Sequence, residues 1–317
     1  MNFLSGRIFI ISTVYAQNRD DEKKNHKRIT EWRWKSETEN AFLESGYDKT
    51  DVYPPFIASR DDKFTLISAE GNVLPYSRMV AKGCALRNKF ININKRHAPF
   101  KDTDIILYFD GDGQIHESHL FSITKNLKEA DFVLSCRGKN FGISNQRLYI
   151  ELFENFLISS KTKLFLPDAQ CGCWGFKARH IPQLINLLSA EGFEIELDLL
   201  LFFLSNKIKP QYVSVDVKAP EAGTTYIATE SDRSKLIFLM NKLRLNSTII
   251  QDLYNEFRKK YKIDLRDDYT VNFKHEDVLN MQNNVTKLDL VEIEDSSIKC
   301  CLGSGDKGHL PKWHVCR

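Results

Sequence analysis

The sequence predicts an α/β protein: a mostly parallel sheet flanked by helices, with a helical C-terminal extension. Short apolar, β-rich runs alternate with helical patterns up to about residue 220. One run, Asp104-Ile105-Ile106-Leu107-Tyr108-Phe109, is almost continuously apolar and ends in acid, as in a buried parallel strand with chemistry at its C-terminal end. The 317 residues are 42% hydrophobic and 27% charged, enough apolar chain for a real core under a solvated surface.

Taken in order, Ile8-Phe9-Ile10-Ile11 reads as the first strand. The stretch from Arg7 to Val14 faintly resembles a leader, but Ser12 and Thr13 break the apolar run and a buried strand accounts for it. A helical pattern runs from His26 to Ser45, with Ile29, Trp32, Ala41 and Phe42 inward. Tyr53-Pro54-Pro55 punctuates before Phe56-Ile57-Ala58, and Phe64-Thr65-Leu66-Ile67 reads as a further strand. Met79 to Phe90 suits a helix. Ser118 is placed to N-cap a helix that buries Leu120, Ile123 and Leu127. Asp131 to Ser135 is the next strand, and Leu148, Leu152 and Phe156 mark the next helix. Beyond Pro220, Arg233 to Leu243 and Ser247 to Tyr261 read as helices. The second has Ile249, Ile250, Leu253 and Phe257 on one face, and Arg258, Lys259, Lys260 and Lys262 at its end. From about Asp264 the chain is polar and poorly periodic, as a tail or small appendage would be.

Charge and cysteine content exclude several classes. Lys+Arg 45 against Asp+Glu 42 leaves +3, too little to argue for nucleic-acid binding. No apolar run approaches the roughly 20 residues of a membrane-spanning helix. Seven cysteines, an odd number, read as reduced thiols of a cytoplasmic protein, in which the sequons at Asn246 and Asn284 carry no meaning. Cys300, Cys301, His309, His314 and Cys316 would make only an irregularly spaced zinc site, and a flexible tail accounts for them better.

The motif with most chemistry in it is Asp110-Gly111-Asp112, directly after the apolar strand. Alone, such a segment is as readily a solvated turn. At the tip of a buried strand, two carboxylates need a partner, and a hard divalent cation, Mg²⁺ or Mn²⁺, is the natural one. Gln114 adds a neutral oxygen and His116 is a further candidate. A second cluster runs from Asp168 through Gln170, Cys171, Gly172, Cys173 and Trp174 to Phe176. Its cysteines are too close for a tetrahedral zinc site and read as small buried thiols. Asp168 could hold an acceptor hydroxyl or a phosphate-binding side chain, and Trp174 could offer a ring face to a sugar. In a third cluster, Glu194, Glu196 and Asp198 sit at a strand start or helix N-terminus, where a carboxylate could act as general base.

In this order the motifs resemble glycosyltransferase family 2, most closely the dolichyl- or polyprenyl-phosphate mannose and glucose transferases. The residues concerned are Ala81-Lys82-Gly83-Cys84-Ala85-Leu86-Arg87-Asn88, Phe109-Asp110-Gly111-Asp112-Gly113-Gln114, Ser135-Cys136-Arg137, Asp168-Ala169-Gln170-Cys171-Gly172 with Phe176, and Phe193-Glu194-Ile195-Glu196. The likeness spans about residues 8 to 220. It implies a GT-A fold and inverting transfer of a hexose from a UDP or GDP sugar to a phosphate or hydroxyl acceptor. Asp110, Asp112 and Gln114 would hold Mg²⁺ or Mn²⁺. Thr13, Asp61, Asp62, Lys82, Asp110, Arg137 and Arg147 would bind the donor, and Asp168, Glu194 and Glu196 would be catalytic. Gln170 and Trp174 would face the acceptor, a lipid phosphate or a glycan. The implied organisation is a transferase domain over residues 1–225, a helical extension over 226–265 and a tail over 266–317. The setting is read as cytoplasmic with no nucleic-acid partner; the basic Ser247–Lys262 helix could rest on an anionic membrane surface, though a packed helix with a solvated basic end accounts for it better.

The chain departs from the family's pattern at its start. Ser12-Thr13-Val14-Tyr15-Ala16-Gln17 stands where Pro-x-Tyr-Asn-Glu is usual, and Ser59-Arg60-Asp61-Asp62 is the nearest stand-in for Asp-Asp-Gly-Ser. The alternatives are a nucleotidyltransferase of similar fold, disfavoured because Ser12 to Gln17 holds no glycine, or a degenerate nucleotide- or glycan-binding protein.

Overall fold

A computed structural model describes residues 6–14, 19–32, 42, 47, 49–53, 55–58, 66–67, 73–74, 81–139, 145–217, 229–261 and 300–301. The strands are β1 (Ile8–Thr13), β2 (Phe56–Ala58), β3 (Leu66–Ile67), β4 (Val73–Leu74), β5 (Ile105–Asp110), β6 (Phe132–Lys139), β7 (Cys173–Lys177), β8 (Gln211–Asp216) and β9 (Cys300–Cys301). The helices are α1 (Arg19–Trp32), α2 (Ala81–His97), α3 (His119–Asn126), α4 (Asn145–Thr162), α5 (Ile181–Leu187), α6 (Ile195–Ser205), α7 (Thr229–Lys242) and α8 (Ser247–Tyr261). The main sheet runs β2-β1-β5-β7-β6-β8-β9. All its pairings are parallel except those of β7, which lies antiparallel to β5 and β6. The expected α/β class with a mostly parallel, helix-flanked sheet is what the chain forms.

Why these strands are so apolar follows from burial on both faces. Side chains alternate across a strand, so Phe9 and Ile11 of β1 enter one core while Ile8 and Ile10 enter the other. The larger core receives Tyr108, Phe132, Trp174 and Phe176 from the sheet and the apolar faces of α2, α4 and α6. The smaller one lies under α1 and α3. The C-terminal helices share the larger core: Leu239 and Leu243 of the α7 region and Ile250 and Phe257 of α8 are buried in it, with both helices against α4.

Several local expectations are corrected. Ser118 has helical backbone angles and makes no side-chain cap; its Oγ meets His116 Nδ1 at 2.8 Å. The first amides of α3 are instead satisfied by the preceding turn, with His119 N donating to His116 O and Leu120 N to Glu117 O. Ile249 is exposed, because α8 is rotated to bury Ile250 and Phe257. Leu66 and Ile67 do form a strand, as expected, but it pairs with β4 in a separate antiparallel ribbon, and Phe64 and Thr65 lie outside the described residues. The first helix begins at Arg19 rather than His26, and residues 33–41 lie outside the described set. Cys300 and Cys301 add β9 to the sheet edge, while His309, His314 and Cys316 lie outside the described residues. Among the described residues no helix is long and apolar enough to cross a membrane.

Candidate active site at the carboxyl end of the sheet

β1 and β5 are in register with Thr13 beside Asp110, so both strands deliver polar residues to the same rim. β7 runs the other way, and its entry, not its exit, stands there: Asp110 N donates to Gly172 O at 2.7 Å. A Cβ on Gly172 would overlap the Asp110 carboxylate, so this position must be glycine for the carboxylate to lie where it does. Lys82, in the first turn of α2, bridges two acids: Nζ is 2.9 Å from Asp110 Oδ1 and 2.7 Å from Glu196 Oε1. Glu196 comes from the first turn of α6. Tyr108 and Thr13 complete the group, with Tyr108 OH donating to Asp110 Oδ1 and meeting Thr13 Oγ1 at 2.7 Å.

The electrostatics separate an inner pair from an open end. Lys82 and Glu196 side chains are 8% and 4% exposed, whereas Asp110 keeps 30%. Burial opposes the Lys82 ammonium, but Asp110 and Glu196 more than offset it and its pKa is raised. Burial also raises Glu196, against the pull of Lys82. Asp112 is pushed up to about 6, first by burial and then by the negative charge of Asp110. Gln114 N donates to Asp112 Oδ1 at 3.0 Å. Arg28 of α1, bound to Glu117 and to Gly111 O, lends Asp112 positive charge from the side.

This donor set suits a hard cation. Asp110 favours protonation of Asp112 at a partly open rim, and the Gln114 amide follows two residues on. Among the described residues no group of three His, Cys, Asp or Glu side chains gathers as a ready-made metal cage. Mg²⁺-type ions need none, because they take one or two carboxylates and complete their shell with water and substrate phosphates.

Other predicted site residues are placed differently. Arg137 and Asp168 bind each other: Nε reaches Oδ2 at 2.6 Å and Nη2 reaches Oδ1 at 2.8 Å, with Glu151 on Nη2 at 2.8 Å. Both are buried, so Asp168 is not exposed as a catalytic acid or base, nor Arg137 as a donor ligand. Trp174 does not face an acceptor. It is 1% exposed, stacked on Tyr108 at 4.5 Å and near Phe176 at 5.9 Å, because β7 is covered on both faces. Gln170 is half-buried and its Oε1 accepts from Lys235 Nζ at 2.6 Å. Glu194 is half-buried at the start of α6, its Oε2 accepting Gly192 N at 3.1 Å. Asp198 is fully buried, paired with Lys242. Cys171 and Cys173 are buried free thiols whose pKa burial raises, to about 12 for Cys173. Asp61, Asp62 and the Arg147 side chain lie outside the described residues.

The sequence reading missed Tyr108, Arg28, Lys235 and Lys242. Only the lysines left a trace: they bracket the apolar run Leu236-Ile237-Phe238-Leu239-Met240.

The described chain is thus an α/β protein with a carboxylate–lysine site at the carboxyl end of its central strand. No family model matches it, and neither does any curated protein. Solved structures of glucosyl-3-phosphoglycerate synthase from Mycobacterium tuberculosis are similar to it. The complex with phosphoglyceric acid is 14% identical over 77% of this chain and 82% of that one, with a TM-score of 0.48. The complex with Mn²⁺, UDP-glucose and phosphoglyceric acid gives the same values. A further structure of that synthase is 16% identical over 77% and 83%, with a TM-score of 0.46.

Proposed function

We propose that this chain is a metal-dependent glycosyltransferase of the GT-A type, transferring a hexose from a UDP or GDP sugar to a phosphate or hydroxyl acceptor with inversion. One observation carries the reading. Asp110 and Asp112 stand together at the open end of a buried strand, with Asp112 held protonatable up to about pH 6 by burial and its neighbour. Asp110, Asp112 and Gln114 would hold Mg²⁺ or Mn²⁺. Bound there, the ion supplies charge neutralisation to the departing diphosphate.

The remaining work falls to the chain's own side chains. Lys82 orients Asp110 through its 2.9 Å contact, and is itself held charged by Asp110 and Glu196. Tyr108 and Thr13 fix the same oxygen of Asp110. An anionic phosphate acceptor needs no base. For a hydroxyl acceptor, Glu194 is the half-buried carboxylate at the rim of α6 that would take the proton. The lipid-phosphate subtype, the cytoplasmic setting with peripheral membrane contact, and residues 1–225 as the transferase unit belong to the same proposal.

A thermal-shift panel of UDP, GDP, CDP, ADP and TDP, with and without Mn²⁺, tests it. Binding at a hundred times Kd stabilises by about 2.7 kcal/mol, well within reach of the method. The expected result is a shift with UDP or GDP that requires Mn²⁺ and disappears in Asp112→Ala. No shift with any nucleotide reduces Asp110 and Asp112 to a turn and removes the proposal.

A further inference from the structure

Two lysines of α7 are almost wholly out of water, Lys235 at 4% and Lys242 at 1% exposure. Seven residues apart, they leave the same face of the helix. Apolar side chains would cover that surface without desolvating two ammonium groups, so the lysines call for another explanation than stability. Each reaches a segment that supports the Lys82–Asp110–Glu196 group.

Lys242 Nζ lies 2.8 Å from Asp198 Oδ1. The other oxygen of Asp198 accepts Ser189 N at 2.7 Å and Ala190 N at 2.8 Å. The turn so fixed is the seat of α2: Cys84 N donates to Glu191 O at 3.1 Å, and a Cβ on Gly83 would run into the Ala190 carbonyl. Lys82 is the residue before Gly83, and Glu196 lies two residues before Asp198 in α6. Lys235 works on the other side. Its Nζ donates to Gln170 Oε1 at 2.6 Å. Backbone contacts to Asn155 and Asp168 hold the loop as far as the Gln170 amide. Two residues further is Gly172, whose carbonyl takes Asp110 N.

We propose that Lys235 and Lys242 are positioning residues of the candidate active site. Lys242 acts through Asp198 on the turn that seats Lys82, and Lys235 acts through Gln170 on the loop that seats Asp110. The C-terminal extension is thereby part of the site's machinery, not an addition to it. The metal-affinity readout below rests on the proposed function; the exchange readout does not.

The experiment compares wild type, Lys235→Met, Gln170→Ala, their double variant, and Lys242→Met combined with Asp198→Asn, which removes both buried charges and guards against misfolding of a single change. Amide hydrogen exchange on metal-free protein is read at residues 170–173 and 189–191, with titration of Mn²⁺ alone as the second readout. The expected result for Lys235→Met is a cooperatively folded protein with faster exchange at 170–173 and Mn²⁺ affinity weaker by roughly 10-fold or more, the scale of losing an outer-shell support. The Lys235→Met/Gln170→Ala double variant should lose no more than either single change, because both act through one contact. The Lys242→Met/Asp198→Asn variant should exchange faster at 189–191. Folded variants with wild-type exchange overturn the proposal, as does an additive loss in the Lys235/Gln170 pair. If wild type takes up no Mn²⁺, the metal reading falls and exchange alone decides the positioning role.

Discussion

Two buried charge clusters of this chain each set one cation between an aspartate and a glutamate, to opposite ends. In one, Arg137 is gripped by Asp168 through two contacts and by Glu151 through a third, and all three side chains are at most 10% exposed. In the other, Lys82 holds Asp110 and Glu196, but Asp110 stays open to solvent and a third carboxylate, Asp112, stands beside it with its pKa pushed up to about 6. The first is a closed knot that pins β6 to the loop before β7. The second carries surplus negative charge at an accessible rim. A buried ion pair alone says little about function, whereas unbalanced like charge next to open space is what a cation or an anionic ligand with its cation resolves.

Breaking the knot should cost the most. Arg137→Met leaves two buried carboxylates without their partner, and a loss of about 3–5 kcal/mol is expected in urea unfolding. A loss near zero would show that the knot is not closed as described. Next is Gly172→Ala, whose methyl must displace the Asp110 carboxylate. The expected outcome is loss of the Mn²⁺-dependent nucleotide shift at a stability cost of about 1–3 kcal/mol, the reverse of the Arg137 pattern.

A pH experiment sharpens the contrast further. Asp112 has a folded-state pKa raised from 3.8 to about 6, so between those values the native state binds more protons than the unfolded one. Metal-free stability attributable to this group therefore falls as pH rises from about 4 to 6. Asp112→Asn should flatten that slope and leave the apo protein more stable at pH 7, read from thermal unfolding across pH. The smallest effect belongs to Trp174→Phe, which keeps the stack on Tyr108: about 1 kcal/mol of stability and unchanged nucleotide affinity, as befits a core residue and not an acceptor platform.

What the sequence revealed was local. The acid-terminated apolar run announced β5 and its carboxylates, because both facts sit in consecutive residues. Lys82 and Glu196 are each legible in the sequence, but nothing local shows that they meet beside Asp110. The misplacements have one origin. Arg137 and Asp168 are thirty-one residues apart, so that each is used up by the other is invisible without the fold. Trp174 lies on a strand covered on both faces, where alternation gives no hint of an outward side. The partners of Lys235 and Lys242 go unmarked in the sequence, since nothing local shows that Gln170 and Asp198 wait opposite them.

The reversed strand β7 has a consequence for how the molecule can change. Because it runs against its neighbours, the loop leading into it shares a rim with Asp110, while the loop leaving it emerges at the opposite rim. There Arg179 binds Asp102 and Asp131, and Arg7 binds Asp104, in ion pairs remote from the chemistry. The two rims therefore differ in what an insertion would disturb. A longer connection at 127–130 or 206–210 would leave Asp110 where it is, whereas any change of length between 168 and 172 would move the carbonyl that holds it.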